Sequence, residues 1–126
     1  MPIQALRAAV LIAAGFVISG CAKSPESTVE SFYVAVAEGN ITEAQSYLSA
    51  QVIGMIGSQK VASALAQESE RAQRCGGIRA VEVQLQGEGE IRSGSATITY
   101  RGKCPPKREG VKLVKEEGKW KLGVSK

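Results

Sequence analysis

The amino-acid sequence predicts an α+β domain in which N-terminal helices pack on one face of a curved, four-stranded antiparallel sheet. Between residues 25 and 74 the apolar side chains recur at helical spacing. From residue 81 onward they recur at every second position, in short runs separated by Gly- and Pro-containing breaks. Helices first and a strand meander afterwards is the order of an α+β domain, not the alternation of a parallel α/β fold. Once an apolar leader is set aside, the 126 residues leave chain for one modest core, and 5% aromatics with 14 glycines predict a lightly packed one.

Residues 1–20 read as that leader. Arg7 is the only charge ahead of an Ala-rich apolar run, Ala8 to Ile18. The run is shorter than the roughly 20 residues of a spanning helix and has the form of a secretory signal peptide. It ends in Ile18-Ser19-Gly20-Cys21, which resembles the bacterial lipobox: an aliphatic residue, two small residues, then cysteine. The resemblance implies cleavage after Gly20, a diacylglyceryl thioether on Cys21 and acylation of the new amino group, with residues 21–24 as a lipidated tether. Two chains anchor stably at about 0.8 kcal/mol per buried methylene, so no transmembrane helix is needed. Ala22, where an Asp would retain the protein, resembles the outer-membrane default of enterobacterial sorting. The expected location is the bacterial envelope, lipid-anchored and facing the periplasm. An ordinary signal peptide with a bystander cysteine, or an uncleaved anchor, are the other readings of this stretch.

The domain proper is expected over residues 25–126. Ser24-Pro25-Glu26 supplies a capping hydroxyl, a proline at the first helical position and an acid in the first turn. Val29, Phe32, Tyr33 and Val36 then form one apolar face, and Gly39 ends the helix. Asn40 with Glu43 suggests a capping box for a second, short helix bearing Ile41, Ala44 and Leu48 and closing at Ala50. Val52 to Gly57 is apolar but broken by glycines, which predicts a buried connector, with a lid or partner-contact loop as the alternative. Ser58 to Arg74 returns to helical composition with Val61 and Leu65 inward, and Gly76-Gly77 stops it.

Val81, Val83 and Leu85 mark the first strand, and Ala96, Ile98 and Tyr100 the second. Cys104-Pro105-Pro106-Lys107-Arg108 is expected as a stiff basic loop, since proline cannot donate to a ladder. Val111 to Val114 is the third strand, Glu116-Glu117-Gly118 a hairpin turn, and Trp120, Leu122 and Val124 the inward face of the fourth.

In an oxidising envelope compartment the cysteines divide into Cys21, taken by lipid, and an even pair, Cys75 and Cys104. A disulfide is expected between them, with free thiols as the alternative. Their separation of 29 positions is too long for a CxxC redox site. Charge is also divided: residues 22–90 carry five Lys/Arg against nine Glu, whereas residues 91–126 carry ten against three.

The chain contains no His and no Asp. That excludes Ser-His-Asp triads, His-based general bases, HExxH zinc sites and aspartyl dyads. Phosphate-cradling glycine loops are missing as well, and no metal or cofactor is expected.

The run Pro25 to Tyr33, the helix after Gly39-Asn40 and the closing Val111 to Lys121 resemble the NTF2-like, cystatin-like superfamily, in particular small bacterial envelope lipoproteins of DUF4878 type, over about residues 24–125. The resemblance implies a cone enclosing a pocket between sheet and helices, which members use for catalysis, ligand binding or association. Its enzymes place Asp, His and Tyr there. This chain lacks the first two, and Tyr33, Tyr47 and Tyr100 read as core aromatics, so a non-enzymatic role is expected.

Two such roles follow. One is a membrane-tethered interaction module, an accessory subunit or a periplasmic inhibitor, with an unidentified protein partner and no nucleic acid. The other is a small-molecule or lipid carrier. A cone filled by side chains favours the first, and an open cavity with convergent polar groups the second. If Tyr100, Leu113, Trp120 and Leu122 point inward, alternation sends Arg101, Lys112, Lys119 and Lys121 outward. Lys107 and Arg108 on the proline loop would extend that basic face, which reads either as a solvated surface or as a steering patch for an acidic partner.

Overall fold

The computed structural model describes residues 23–123, so the leader, Cys21 and Val124 lie outside the described residues. Helix α1 (Pro25–Ala37) starts at the expected cap, where Ser24 Oγ accepts from the Ser27 N–H at 3.0 Å. One turn on, the Thr28 hydroxyl is buried but donates to the Ser24 carbonyl at 3.1 Å, so it is not left unpaired. Gly39, at φ 78°, takes the left-handed conformation that turns the chain.

Helix α2 (Ile41–Ser46) forms without the predicted capping box. Asn40 has φ −88° and ψ 75°, outside the extended geometry of a cap, and its amide donates instead to Glu43 Oε1 at 2.8 Å. The helix stops short of Ala50, because Tyr47 to Ser49 run along the sheet edge. Ser49 N–H donates to the Leu122 carbonyl and Leu122 N–H to the Tyr47 carbonyl, both at 2.8 Å. Ser49 then caps α3 (Ala50–Ile56), its Oγ accepting from Val52 N–H at 3.2 Å. A short helix thus replaces the glycine-broken connector. Gly54 is exposed and lowers helical stability by only about 1 kcal/mol, while Val52 is buried beneath it. Helix α4 (Ser58–Arg74) matches its expected span, with Val61, Leu65 and Ala72 buried.

The strands β1 (Ile78–Gln86), β2 (Ile91–Tyr100), β3 (Lys107–Glu116) and β4 (Lys119–Leu122) pair in sequence order, all antiparallel. Glu117 and Gly118, both at positive φ, close the last hairpin with the two-residue turn whose twist suits flanking strands. One sheet face meets the helices through Ala96, Ile98, Tyr100, Val111, Leu113, Trp120 and Leu122, which with Val29, Ala72 and Cys75 form the main core. A second cluster joins α1, α2 and α4 through Ala35, Val36, Ala44, Val61 and Leu65. Cys75 and Cys104 are bonded, their Cα atoms 5.4 Å apart, so the end of α4 is tied to the segment before β3.

The largest departure from expectation is the start of β3. Cys104, Pro105 and Pro106 stay outside the ladder, but Lys107 pairs with Ile98 and Arg108 with Thr97. The two basic residues of the predicted loop are therefore strand, and only Cys104-Pro105-Pro106 is loop. Counting back by twos from buried Leu113 and Val111 puts Glu109 and Lys107 on the helix-facing side, not on the outer face.

Candidate functional site

The inward turn of β3 completes a cavity of about 210 Å³ between α1, α4 and the sheet. Phe32, Tyr33, Val36 and Ala37 of α1 form one wall, Leu65 and Ala72 of α4 a second, and Ile98 and Tyr100 the floor. These positions follow from the helical spacing that built α1 and from period-two alternation in β2. The rings of Phe32 and Tyr33 meet edge to face, with centroids 5.2 Å apart, which fixes the direction of the tyrosine.

Polar groups converge on one side. Tyr33 OH donates to Glu109 Oε1, and Glu109 Oε2 accepts from Lys107 Nζ at 3.0 Å. The same ammonium donates to Glu68 Oε1 at 3.2 Å, and Arg71 Nη1 lies 3.8 Å from that oxygen. Two carboxylates and two cations thus join α1, α4 and β3. Burial pushes the Tyr33 hydroxyl far above its ordinary range, and the bond to Glu109 adds to this. Burial alone would raise Glu109, but hydrogen bonds from Tyr33 and Lys107 and the positive charges of Lys107 and Arg71 outweigh it and hold the carboxyl below its ordinary value. Burial opposes charge on Lys107 too, yet its bonds to Glu109 and Glu68 leave it raised. Each of these three groups is driven away from titration near neutrality.

The expected site residues therefore separate. Lys107 belongs to the cavity. Arg108, Lys112, Lys119 and Lys121 share the outer face of the sheet, and exposed Arg101 stands just beyond β2. On that face Lys119 lies opposite Glu116, and Lys121 Nζ donates to the Ser46 carbonyl at 2.6 Å, so the basic surface is partly occupied. Tyr47, expected in the core, is half-buried and packs against the main core, while its hydroxyl reaches out to bond Glu43 Oε2 at 3.1 Å with Lys23 over its ring. Glu109 and Glu68 were not anticipated from sequence. Extending the β3 alternation two steps through Gly110 would have found Glu109, whereas Glu68 is one of several polar residues on α4 and carries no local signal. Among the described residues no group of three or more His, Cys, Asp or Glu side chains is placed to hold a metal ion.

No family model and no curated protein matches the sequence. Among solved structures the fold is similar to a Campylobacter jejuni protein named as a candidate NTF2-like transpeptidase, at 16% identity and a TM-score of 0.72 over 82% of this chain and 100% of that one. The likeness is one of fold, and with helices packed on a curled four-stranded antiparallel sheet the described chain has an NTF2-like α+β architecture.

Proposed function

We propose that this chain is a lipid-anchored envelope protein whose NTF2-like domain works by binding, holding a small, largely apolar molecule in the cavity between α1, α4 and the sheet. The observation that carries this reading is the open cavity itself, walled by aromatic and aliphatic side chains with the Tyr33–Glu109–Lys107–Glu68 chain along one side. At about 210 Å³ it lies below the roughly 300–1,000 Å³ of drug-sized sites, so the occupant is small. The anchor rests on Ile18-Ser19-Gly20-Cys21 and the apolar run before it.

Binding fits the chemistry better than catalysis does. An acid–base catalyst titrates near its working pH, and Tyr33, Glu109 and Lys107 are all held away from it. Transpeptidation, the activity named for the structural neighbour, needs an activated nucleophile. Among the described residues no Ser, Thr or Cys lines this cavity, and Lys107 stays protonated.

The test uses indole and phenol as probes, titrated into the chain from Ala22 onward and followed by two-dimensional NMR. Shifts should cluster at Tyr33, Ile98 and Tyr100 and vanish in Ala72→Leu, which fills the cavity with apolar volume. Equal shifts in both proteins, or none in either, count against the reading. Mass spectrometry of Cys21 in membrane extracts, and loss of Cys21→Ser from the membrane fraction, test the anchor separately.

An interaction module is the second reading, favoured by the sheet's outer face, which no helix of the described residues covers and on which Arg108, Lys112, Lys119 and Lys121 collect. Reversing Lys112 and Lys119 to Glu should weaken capture of an acidic partner, more so at low salt, with little change in Tm.

A further inference from the structure

The two edges of the sheet are treated differently. At one edge β4 has only four residues, and Tyr47 and Ser49 both bond its last residue, Leu122. At the other, β1 runs for nine residues, and among the described residues no hydrogen bond reaches it except from β2. Long open edges are usually blunted by lysine, proline, shortness or a covering element. The β1 sequence Ile-Arg-Ala-Val-Glu-Val-Gln-Leu-Gln has neither lysine nor proline, and its one irregularity, between Ile78 and Ala80, leaves Ala80–Gln86 as a regular edge.

We propose that this edge is a homodimer interface, pairing β1 antiparallel with β1 of a second copy about a two-fold axis at Val83. The choice of a second copy comes from the self-complementarity of the strand. Two seven-residue edges overlap fully only in the register centred on Val83. In that register Val83 meets its own counterpart and Val81 meets Leu85, which continues the half-buried apolar row on the helix-facing side. On the outer side Glu82 meets Gln84 and Ala80 meets Gln86, so no like charges face each other. Arg79, just before the regular edge, comes level with Gly87 and beside Glu88 of the other copy. A shift of one residue in either direction sets both Val81 and Val83 opposite Gln or Glu of the other copy, which disfavours it. Main-chain hydrogen bonds along the edge would supply affinity, as they do when an extended peptide adds to a sheet. The result is one continuous eight-stranded sheet.

Gln84 reads out the register by sign. It is exposed on the outer face and lies far from the cavity wall of Tyr33, Lys107 and Glu109, so ligand binding and pairing are separable. In the purified full chain in detergent, Gln84→Glu sets two Glu–Glu pairs across the axis, and Gln84→Lys sets two Lys–Glu pairs. Sedimentation should show the dimer about 2- to 30-fold weaker for the first and stronger by a similar factor for the second. Val83→Cys, oxidised with copper–phenanthroline, should yield a dimer on a non-reducing gel that the Gln84→Glu change diminishes and the Gln84→Lys change increases. A monomer at all concentrations, or a dimer indifferent to both changes at Gln84, overturns the proposal.

Discussion

Removing the Cys75–Cys104 bond should lower stability more than any single truncation on the surface. The bond closes a loop of 29 positions that contains all of β1 and β2, so its loss frees that loop in the unfolded chain. The chain-entropy relation puts the effect at about 3–4 kcal/mol. For a domain of this size each kcal/mol displaces Tm by roughly 4–8 °C, giving a drop of about 15–30 °C. The native state should suffer as well, because the bond joins α4, which carries Glu68, to the start of β3, which carries Lys107 and Glu109. The variant is Cys75→Ala with Cys104→Ala, since alanine avoids placing an unpaired hydroxyl at the buried Cys75 position. Far-ultraviolet circular dichroism and the fluorescence of Trp120, the sole tryptophan, should report coincident transitions in both proteins. Reduced wild type should melt close to the double variant. A drop of less than about 5 °C would refute the reasoning, because a 29-position loop cannot be released so cheaply under the entropic account.

Leu113→Ala, at a fully buried position, should cost about 2–5 kcal/mol by chemical denaturation. Gly94→Ala should destabilise β2 strongly, since an added methyl there overlaps the carbonyl oxygen of Gln84 on β1; a Tm within about 2 °C of wild type would show that the strands can part. Glu109 should contribute to acid sensitivity. Its carboxyl is held below the ordinary value near 4.5, so the stability it lends is complete above that pH and is lost as pH falls through the lowered native value. Wild type should therefore lose more stability than Glu109→Gln between about pH 5 and pH 3, and parallel curves would remove Glu109 from the account. Lys107 acts in the opposite sense: its contribution is complete below about 10.5 and is lost only as pH rises beyond that value.

The elements that bury apolar faces were legible in the sequence: α1 from its cap and four-residue apolar face, α4 from Val61 and Leu65, and β2 and β4 from strict alternation. Legibility failed where polar residues occupy inward positions. Lys107 and Glu109 look like the solvated end of a loop because they are charged, follow two prolines and precede a glycine. They are inward because a strand lining a cavity can carry charge there, provided the charges meet partners, here Tyr33 and Glu68. Those partners lie 76 and 39 positions away, so no local window reveals them. Ser49 is a smaller case of the same kind. Its role as a cap for α3 depends on Tyr47 to Ser49 being held by β4, a tertiary contact that stops α2 early and restarts the chain in a new direction.

The contact of Tyr47 to Ser49 with the end of β4 also bears on assembly. A sheet open on both sides can add copies without end, and each added strand offers the next a fresh template. Here the return of the α2–α3 junction to Leu122 occupies the end of the four-residue β4 and leaves little of that strand to pair with another copy. Growth through β1 consumes that edge in both participants, so β1 pairing by itself closes at two. The short contact of Leu48 with Leu122 thereby favours closed pairing over fibre formation by narrowing the edge opposite β1.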